Sequence, residues 1–242
     1  MRTQLLQSIR KRLGRDSLRG EQGVTVTELV IVCAILSIVM TFVTAGFVSM
    51  QSAATTDDIK LQNLDEARTL MDNMSKDIRT ATLLPVPTAT SPFTIADVNK
   101  MQFYANLMTT AAPNRIDLYV DYTNPNAPRL FEKVTPPTPN SNPPNWTPGG
   151  TPFTRYVGQY VVNGTSAKYP TPLFQYFDRS GTQLVPPVGQ TALDPTQFAS
   201  IYSVLVTLSV RKSTERSIPA TTLVNQVTLP NIYYSVDVSP TP

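Results

Sequence analysis

The sequence contains no histidine, and its 242 residues include a single cysteine and a single tryptophan. The absence of histidine excludes catalytic triads that use it, histidine-ligated metals and the usual general base near neutral pH. Cys33 has no second cysteine with which to form an internal disulfide. No other set of residues forms a recognisable catalytic pattern. We therefore expect a protein that is not an enzyme and that needs no cofactor or metal.

Charged residues are also scarce, at 15% of the chain, and they are unevenly distributed. Residues 1–23 contain Asp16, Glu21 and six basic side chains, which gives this segment a net charge of +4. The basic residues are Arg2, Arg10, Lys11, Arg12, Arg15 and Arg19. Because the whole chain carries +3, the remaining residues have a net charge of −1. We therefore expect no nucleic acid to bind to the body of the protein.

The longest apolar run, Leu29–Met50, contains no charged residue. About 20 residues of α-helix span a bilayer core, whereas the apolar stretch of a secretory signal has only about 7–15 residues. The run therefore predicts a single transmembrane helix. The small residues Ser52-Ala53-Ala54 leave open an alternative, in which a signal peptidase cleaves after the run.

The charges that flank the apolar run predict its orientation. Basic residues precede the run, and Asp57-Asp58 follow it. Since basic segments stay on the cytoplasmic side, we expect a single-pass protein of the cytoplasmic membrane with its body outside.

Glu28 immediately precedes this apolar run, where a charged side chain is costly if the run enters a membrane. One interpretation is a capping box, in which Thr25 caps a helix and Glu28, three residues later, binds the backbone of the cap. The helix dipole also favours an acid in the first turn. A capping box explains neither Gly23, five residues before the glutamate, nor the basic segment that precedes it.

The combination of Gly23, Val24, Glu28 and the apolar run resembles the processing signal of type IV prepilins. The resemblance implies that a prepilin peptidase cleaves after Gly23, which removes residues 1–23 as a basic leader, and methylates the amine of Val24. It also implies that Glu28 pairs with the amine of a neighbouring subunit during assembly. The implied partners are other pilins, through the amino-terminal helix, and an assembly platform in the inner membrane.

Three departures from the major pilins favour a minor member of the family. The first mature residue is Val24, where major pilins usually have phenylalanine, and the leader is long. The helix also lacks the proline that kinks many pilin helices, and Ala45-Gly46 lie in that region.

The helix is predicted to continue outside the membrane. No proline occurs before Pro85, so one helix can run from Val24 to about Thr82, with residues 24–50 in the membrane or filament core and residues 51–84 as an amphipathic continuation. Apolar residues recur alternately three and four positions apart, which is typical of one buried helix face. They are Leu64, Ala67, Met71, Met74, Ile78 and Ala81.

Residues 85–242 are predicted to form a β-rich globular body. Alternation of apolar and polar residues predicts strands around residues 101–105, 116–120 and 202–210. The segment 173–185 is predicted to form a hairpin with Gly181 in its turn. Further candidate strands are Arg129–Val134, Arg155–Val162, Leu223–Leu229 and Tyr234–Val238. The expected fold class is α+β, with the long amino-terminal helix packed on a predominantly antiparallel sheet.

A proline-rich surface loop, residues 135–153, interrupts the body, and we expect the strands on its two sides to pair with each other. Trp146 lies in this loop. Two roles are open for it: it holds the loop on the body, or it contacts a glycan or a partner subunit. Asp117 and Asp121 share one strand face, and we expect both to be solvated rather than to bind a metal.

Three short segments narrow the resemblance to W-type minor pilins and J-type minor pseudopilins. They are the helix end Asp77–Ala81, the hairpin around Tyr176-Phe177-Asp178 and Gly181, and the pairing of Val204–Arg211 with Val227–Asn231. The resemblance implies a subunit that primes or caps a pilus, a DNA-uptake pseudopilus or a secretion filament, which places it at the cell surface after assembly. The alternative is a single-pass, membrane-anchored extracellular binding protein that does not polymerise.

Overall fold

The computed structural model describes residues 23–84, 89–107, 112–138, 147–212 and 218–230. Most of the leader, Trp146 and the candidate strand Tyr234–Val238 lie outside these ranges. The chain divides into two compact units, Met1–Ala54 and Thr55–Pro242, and each is described separately. The fold class is α+β, as predicted.

One helix, α1, extends over Val26–Arg79, close to the predicted limits. In the first unit it is apolar and exposed, and its most apolar 18-residue window has a mean hydropathy of 2.6. The helix is long and apolar enough to cross a membrane once. This agrees with a single-pass membrane protein, while the direction of insertion remains a prediction.

Three hydroxyl groups inside the apolar run donate to the helix itself. Ser37 donates to the carbonyl of Cys33 at 2.7 Å, and Thr41 donates to the carbonyl of Ser37 at 2.8 Å. Thr44 repeats the pattern with the carbonyl of Met40 at 2.8 Å. Each acceptor lies four residues earlier, so these polar atoms need no partner outside the helix.

In the second unit, one face of α1 is buried against the body. The predicted apolar stripe is confirmed for Ala67, Met71, Met74 and Ile78, while Leu64 is only half-buried. The buried face is wider than predicted, because Asn63, Leu70 and Asp77 also belong to it. These three residues are spaced seven apart, so they form a second line on the same side of the helix.

The described part of the body contains nine β-strands in two antiparallel sheets, and the strand order is β1-β2-β3-β4-β5 in one sheet and β7-β6-β8-β9 in the other. The first sheet consists of β1 (Phe93–Ala96), β2 (Lys100–Ala105), β3 (Asn114–Asp121), β4 (Arg129–Thr135) and β5 (Phe153–Gln159). The second consists of β6 (Phe174–Phe177), β7 (Gln183–Leu184), β8 (Ser203–Val210) and β9 (Thr221–Thr228). A bridge between Val161 and Val210 joins them.

The second-unit part of α1 lies over the junction of the two sheets. It meets the first sheet at β5, where Leu70 lies against Gly158. It meets the second at β9, where Asn225 Nδ2 donates to Ser75 Oγ at 2.8 Å. The main apolar core, with Met101, Phe103 and Ile116 among its fully buried residues, fills the space between the helix and the sheets.

Several predictions about the body are confirmed. The apolar positions of β2, β3 and β8 are buried, and β8 pairs with β9 through Val204 and Val227. The proline-rich loop joins β4 and β5, which pair with each other, so the loop is an insertion in a hairpin. Gly181 has the positive φ of +81° that its turn requires. Strand β1 and a short 3-10 helix, Pro195–Ser200, were not predicted.

Gly158 is required by the close approach of α1 to β5. A Cβ atom at this position would lie 2.9 Å from Leu70 Cγ and closer still to both methyl groups of that side chain. Leu70 is 1% exposed, so it has little room to move. We expect Gly158→Ala to lower the free energy of unfolding by about 1–3 kcal/mol, as overpacking does.

Thermal unfolding of the detergent-solubilised chain, followed by circular dichroism, measures this effect. Leu70→Ala alone removes buried surface and should also destabilise the protein. In the double variant the new methyl group occupies space that Leu70 has vacated, so the two losses should not add. Full additivity would show that the predicted overlap does not limit this site.

Candidate functional site

The segment that resembles a prepilin processing signal is solvent-exposed. Gly23, Val24 and Thr25 precede α1, and apart from Gly23 and its chain neighbours no atom of the described residues lies within 4 Å of the position where a Cβ of Gly23 would be. Val24 is 71% exposed. The peptide bond between Gly23 and Val24 is therefore accessible, and the roles of both residues in processing remain predictions.

Glu28 forms the predicted capping box with Thr25. The backbone N–H of Glu28 donates to Thr25 Oγ1 at 3.2 Å, and the backbone N–H of Thr25 donates to Glu28 Oε2 at 3.3 Å. The Thr25 hydroxyl also donates to Oε2 at 3.3 Å. Two free N–H groups at the start of α1 are thus satisfied reciprocally.

The capping box engages only one oxygen of the Glu28 carboxylate. All three of its hydrogen bonds within the described residues involve Oε2 or the backbone, and Oε1 accepts none of them. An acid in the first turn of a helix also interacts favourably with the helix dipole. Glu28 can therefore cap the helix and still accept a charged donor.

A second group of polar residues lies between α1 and the first sheet. Arg155, on β5, donates from Nε to Glu132 Oε2 on β4 at 2.7 Å, and one of its terminal nitrogens contacts the same oxygen. The same terminal nitrogen donates to Asp77 Oδ2 on α1 at 3.2 Å. These three residues, called here the Asp77 cluster, link the helix to two strands. The carboxylate side chains are 6% and 1% exposed, so a substrate has no access to them.

Burial sets the protonation of the cluster. Burial and, to a smaller extent, the negative charge of Glu132 raise the pKa of Asp77 from 3.8 to about 7. The positive charges of Arg155 and, more weakly, Lys76 act in the opposite direction. One arginine therefore compensates two buried carboxylates incompletely, and near neutral pH the cluster binds a proton.

The structure corrects the prediction that Asp117 is solvated. Asp117 is 6% exposed, accepts a hydrogen bond from Gln102 Nε2 and lies 3.8 Å from Arg115 Nε. Asp121, at the end of β3, instead accepts from the backbone and hydroxyl of Thr123. The local alternation gives both acids the same face, but the long side chains of neighbouring strands cover only the first. Over the described ranges, no three metal-ligating side chains form a group.

No family model, no curated protein and no solved structure matches this chain. The described residues have a pilin-like layout, with a long apolar amino-terminal helix and antiparallel sheets.

Proposed function

We propose that this chain is a non-catalytic minor pilin or pseudopilin, incorporated as a priming or capping subunit into a type IV pilus or a related secretion or DNA-uptake filament. The observation that carries the proposal is the position of Glu28. It lies five residues after Gly23, at the start of a helix whose exposed, apolar first part is long enough to cross a membrane. The pilin-like layout of helix and sheets supports it.

The cost of a buried charge explains why this position matters. A carboxylate within a membrane helix costs about 3 kcal/mol unless it is paired. Cleavage after Gly23 would create an amine at Val24, and an amine of a neighbouring subunit could bind the unoccupied Oε1 of Glu28. The pairing would fix the axial position of one subunit relative to the next.

The proposed partners follow from this route. They are a prepilin peptidase, which would remove the leader and methylate Val24, an assembly platform in the inner membrane, and other pilins that contact the helix. The subunit would reside in the cytoplasmic membrane, amino terminus inside, before it joins a cell-surface filament.

A second candidate function is a membrane-anchored extracellular binding protein that does not polymerise. The capping box favours it, because Thr25 accounts for a glutamate at this position without any partner chain. Under this candidate the leader remains attached, and Glu28 only stabilises the first turn of α1.

Mass spectrometry of the mature amino terminus distinguishes the two. We expect the protein to begin at Val24, with a methylated amine, in a strain with an active prepilin peptidase. Gly23→Val is the control, because it should block cleavage and retain the uncut chain in the membrane. An intact Met1 terminus in the wild-type protein would contradict the proposal, as would a terminus near Thr55, which a signal peptidase would produce.

A further inference from the structure

The exposed side of α1 carries a regular line of acids outside the membrane segment. Asp58, Asp65 and Asp72 are seven residues apart and are all exposed. With about 3.6 residues per turn, they lie opposite the buried face of the helix and about 10 Å from one another. No basic side chain in the described ranges lies within 4 Å of their carboxylates. We call these three residues the acidic stripe.

The outer face of the first sheet carries an excess of positive charge. Lys100, Arg115 and Lys133 surround a shallow depression of about 310 Å³, and Asp117 is the one acid that lines it. Arg115 Nε is buried and donates no hydrogen bond within the described residues. Neither lysine lies within 4 Å of a carboxylate in that part of the chain. We call the three basic residues the cationic face.

The two features lie on opposite sides of the body. Residues that alternate with the cationic face along β2, β3 and β4, such as Met101, Ile116 and Glu132, point inward toward α1. The acidic stripe is on the side of α1 that points away from the sheet. A contact between the stripe of one copy and the cationic face of another is therefore heterologous, and it can repeat along a row of copies.

The distance between the two lysines of the cationic face is similar to the distance between successive aspartates of the acidic stripe. Lys100 is opposite Tyr119, and Lys133 is opposite Asp117, so the lysines are two strands and two residues apart. At ordinary strand dimensions their Cα atoms are separated by about 12 Å. Successive aspartates of the stripe are about 10 Å apart, and flexible lysine side chains can accommodate the difference.

We propose that the cationic face binds the acidic stripe of a second copy of this chain, with Lys100 and Lys133 each pairing with one aspartate. A nucleic acid fits the face less well, because Asp117 lies at its centre and the chain after residue 23 has a net charge of −1. The proposal goes beyond the proposed function, since it requires neither cleavage at Gly23 nor a charge on Glu28.

Zero-length carbodiimide cross-linking tests the contact, because it joins a carboxylate to an amine only where the two touch. Two full-length copies with different tags are co-expressed, membranes are treated with the reagent, and species that carry both tags are digested and sequenced by mass spectrometry. We expect links from Lys100 or Lys133 to the aspartates of the acidic stripe.

Charge reversal makes the test specific. Lys100→Glu/Lys133→Glu and, separately, Asp65→Lys/Asp72→Lys should each reduce the yield of two-tag species by roughly tenfold, and raised salt should weaken the wild-type contact. The chain with all four substitutions should recover the yield. Lys168→Glu/Arg179→Glu, which makes the same change in net charge as the lysine reversal at exposed positions outside both features, should behave like the wild type.

Three outcomes would overturn the proposal. The first is an unchanged yield of two-tag species in both the lysine-reversal and the aspartate-reversal variants. The second is a yield that does not recover in the chain with all four substitutions. The third is a set of links from Lys100 or Lys133 to a different protein. All substituted side chains are at least partly exposed, so equal membrane levels and equal protease resistance are expected. A variant that fails this check is replaced by its single-site versions, which leave the comparison intact.

Discussion

Glu28→Gln should leave the amino-terminal helix cap in place and prevent incorporation of the subunit into filaments. Glutamine retains an oxygen that accepts from the Thr25 backbone and hydroxyl, so the start of α1 is preserved. It cannot offer a negative charge to a terminal amine. The amine of the neighbouring subunit would then remain unpaired in apolar surroundings, and a cost of about 3 kcal/mol for that charge corresponds to about a hundredfold lower incorporation.

Thr25→Ala is the matched control, because it removes the cap and retains the carboxylate. It should lower helix stability by about 1 kcal/mol and leave incorporation nearly unchanged. Both variants are measured in sheared filaments, with the membrane content of each subunit and its mature terminus as references. If Glu28→Gln is incorporated like the wild type and Thr25→Ala is not, Glu28 serves as a cap and the proposed charge pairing is wrong.

Arg155→Met should destabilise the body strongly at neutral pH. Arg155 is the cation that Asp77 and Glu132 share, and its removal leaves the two buried carboxyl groups with only the proton that they bind. Because the Arg155 side chain is 53% exposed, the cost is lower than for a fully buried ion pair, at about 1–3 kcal/mol. Unfolding of the detergent-solubilised chain measures the loss. In the Arg155→Met/Asp77→Asn chain, where one charge fewer is buried, part of the stability should return.

The Asp77 cluster also predicts a dependence of stability on pH. Because the pKa of Asp77 is about 7 in the folded chain and 3.8 ordinarily, the folded state retains a proton that the unfolded state has lost between these values. This contribution is therefore complete below about pH 4 and disappears as the pH rises through 7, at up to about 1.4 kcal/mol per pH unit.

Asp77→Asn isolates this effect, since asparagine fills the same space and does not titrate. We expect the wild-type protein to lose stability between about pH 4 and 7 relative to the variant, with no further divergence at higher pH. Parallel stability curves for the two proteins across this range would show that Asp77 does not hold the proton.

The strands were predictable where apolar and polar residues alternate clearly within one short segment. In β2, β3 and β8 an apolar residue at every second position faces the core. This pattern can be recognised in the sequence of each strand without knowledge of its partner strand. Strand β1 has only four residues, of which Phe93 and Ala96 are buried, so alternation is too short to detect. The division into two sheets depends on long-range pairing that no local pattern specifies.

The Asp77 cluster was missed for the same physical reason. Glu132 and Arg155 are 55 and 78 positions from Asp77, and each looks like an ordinary surface residue in its own segment. One signal was available: Asn63, Leu70 and Asp77 repeat every seven residues beside the predicted apolar stripe, which indicates a buried line with polar members. At the amino terminus, by contrast, Thr25 and Glu28 are only three residues apart, and the capping box was predictable.

The three self-satisfied hydroxyls of α1 give its apolar half a further property. Ser37, Thr41 and Thr44 keep the same acceptors whether the helix is surrounded by acyl chains or by other apolar helices. Moving the helix from one surrounding to the other would thus neither break nor create a hydrogen bond at these positions. The free-energy difference between the two environments would be set by side-chain packing and by the single charge at Glu28. Along most of its length, such a segment would favour neither the lipid nor the helical surroundings strongly. Its preference for one of the two would come mainly from the end that contains Glu28.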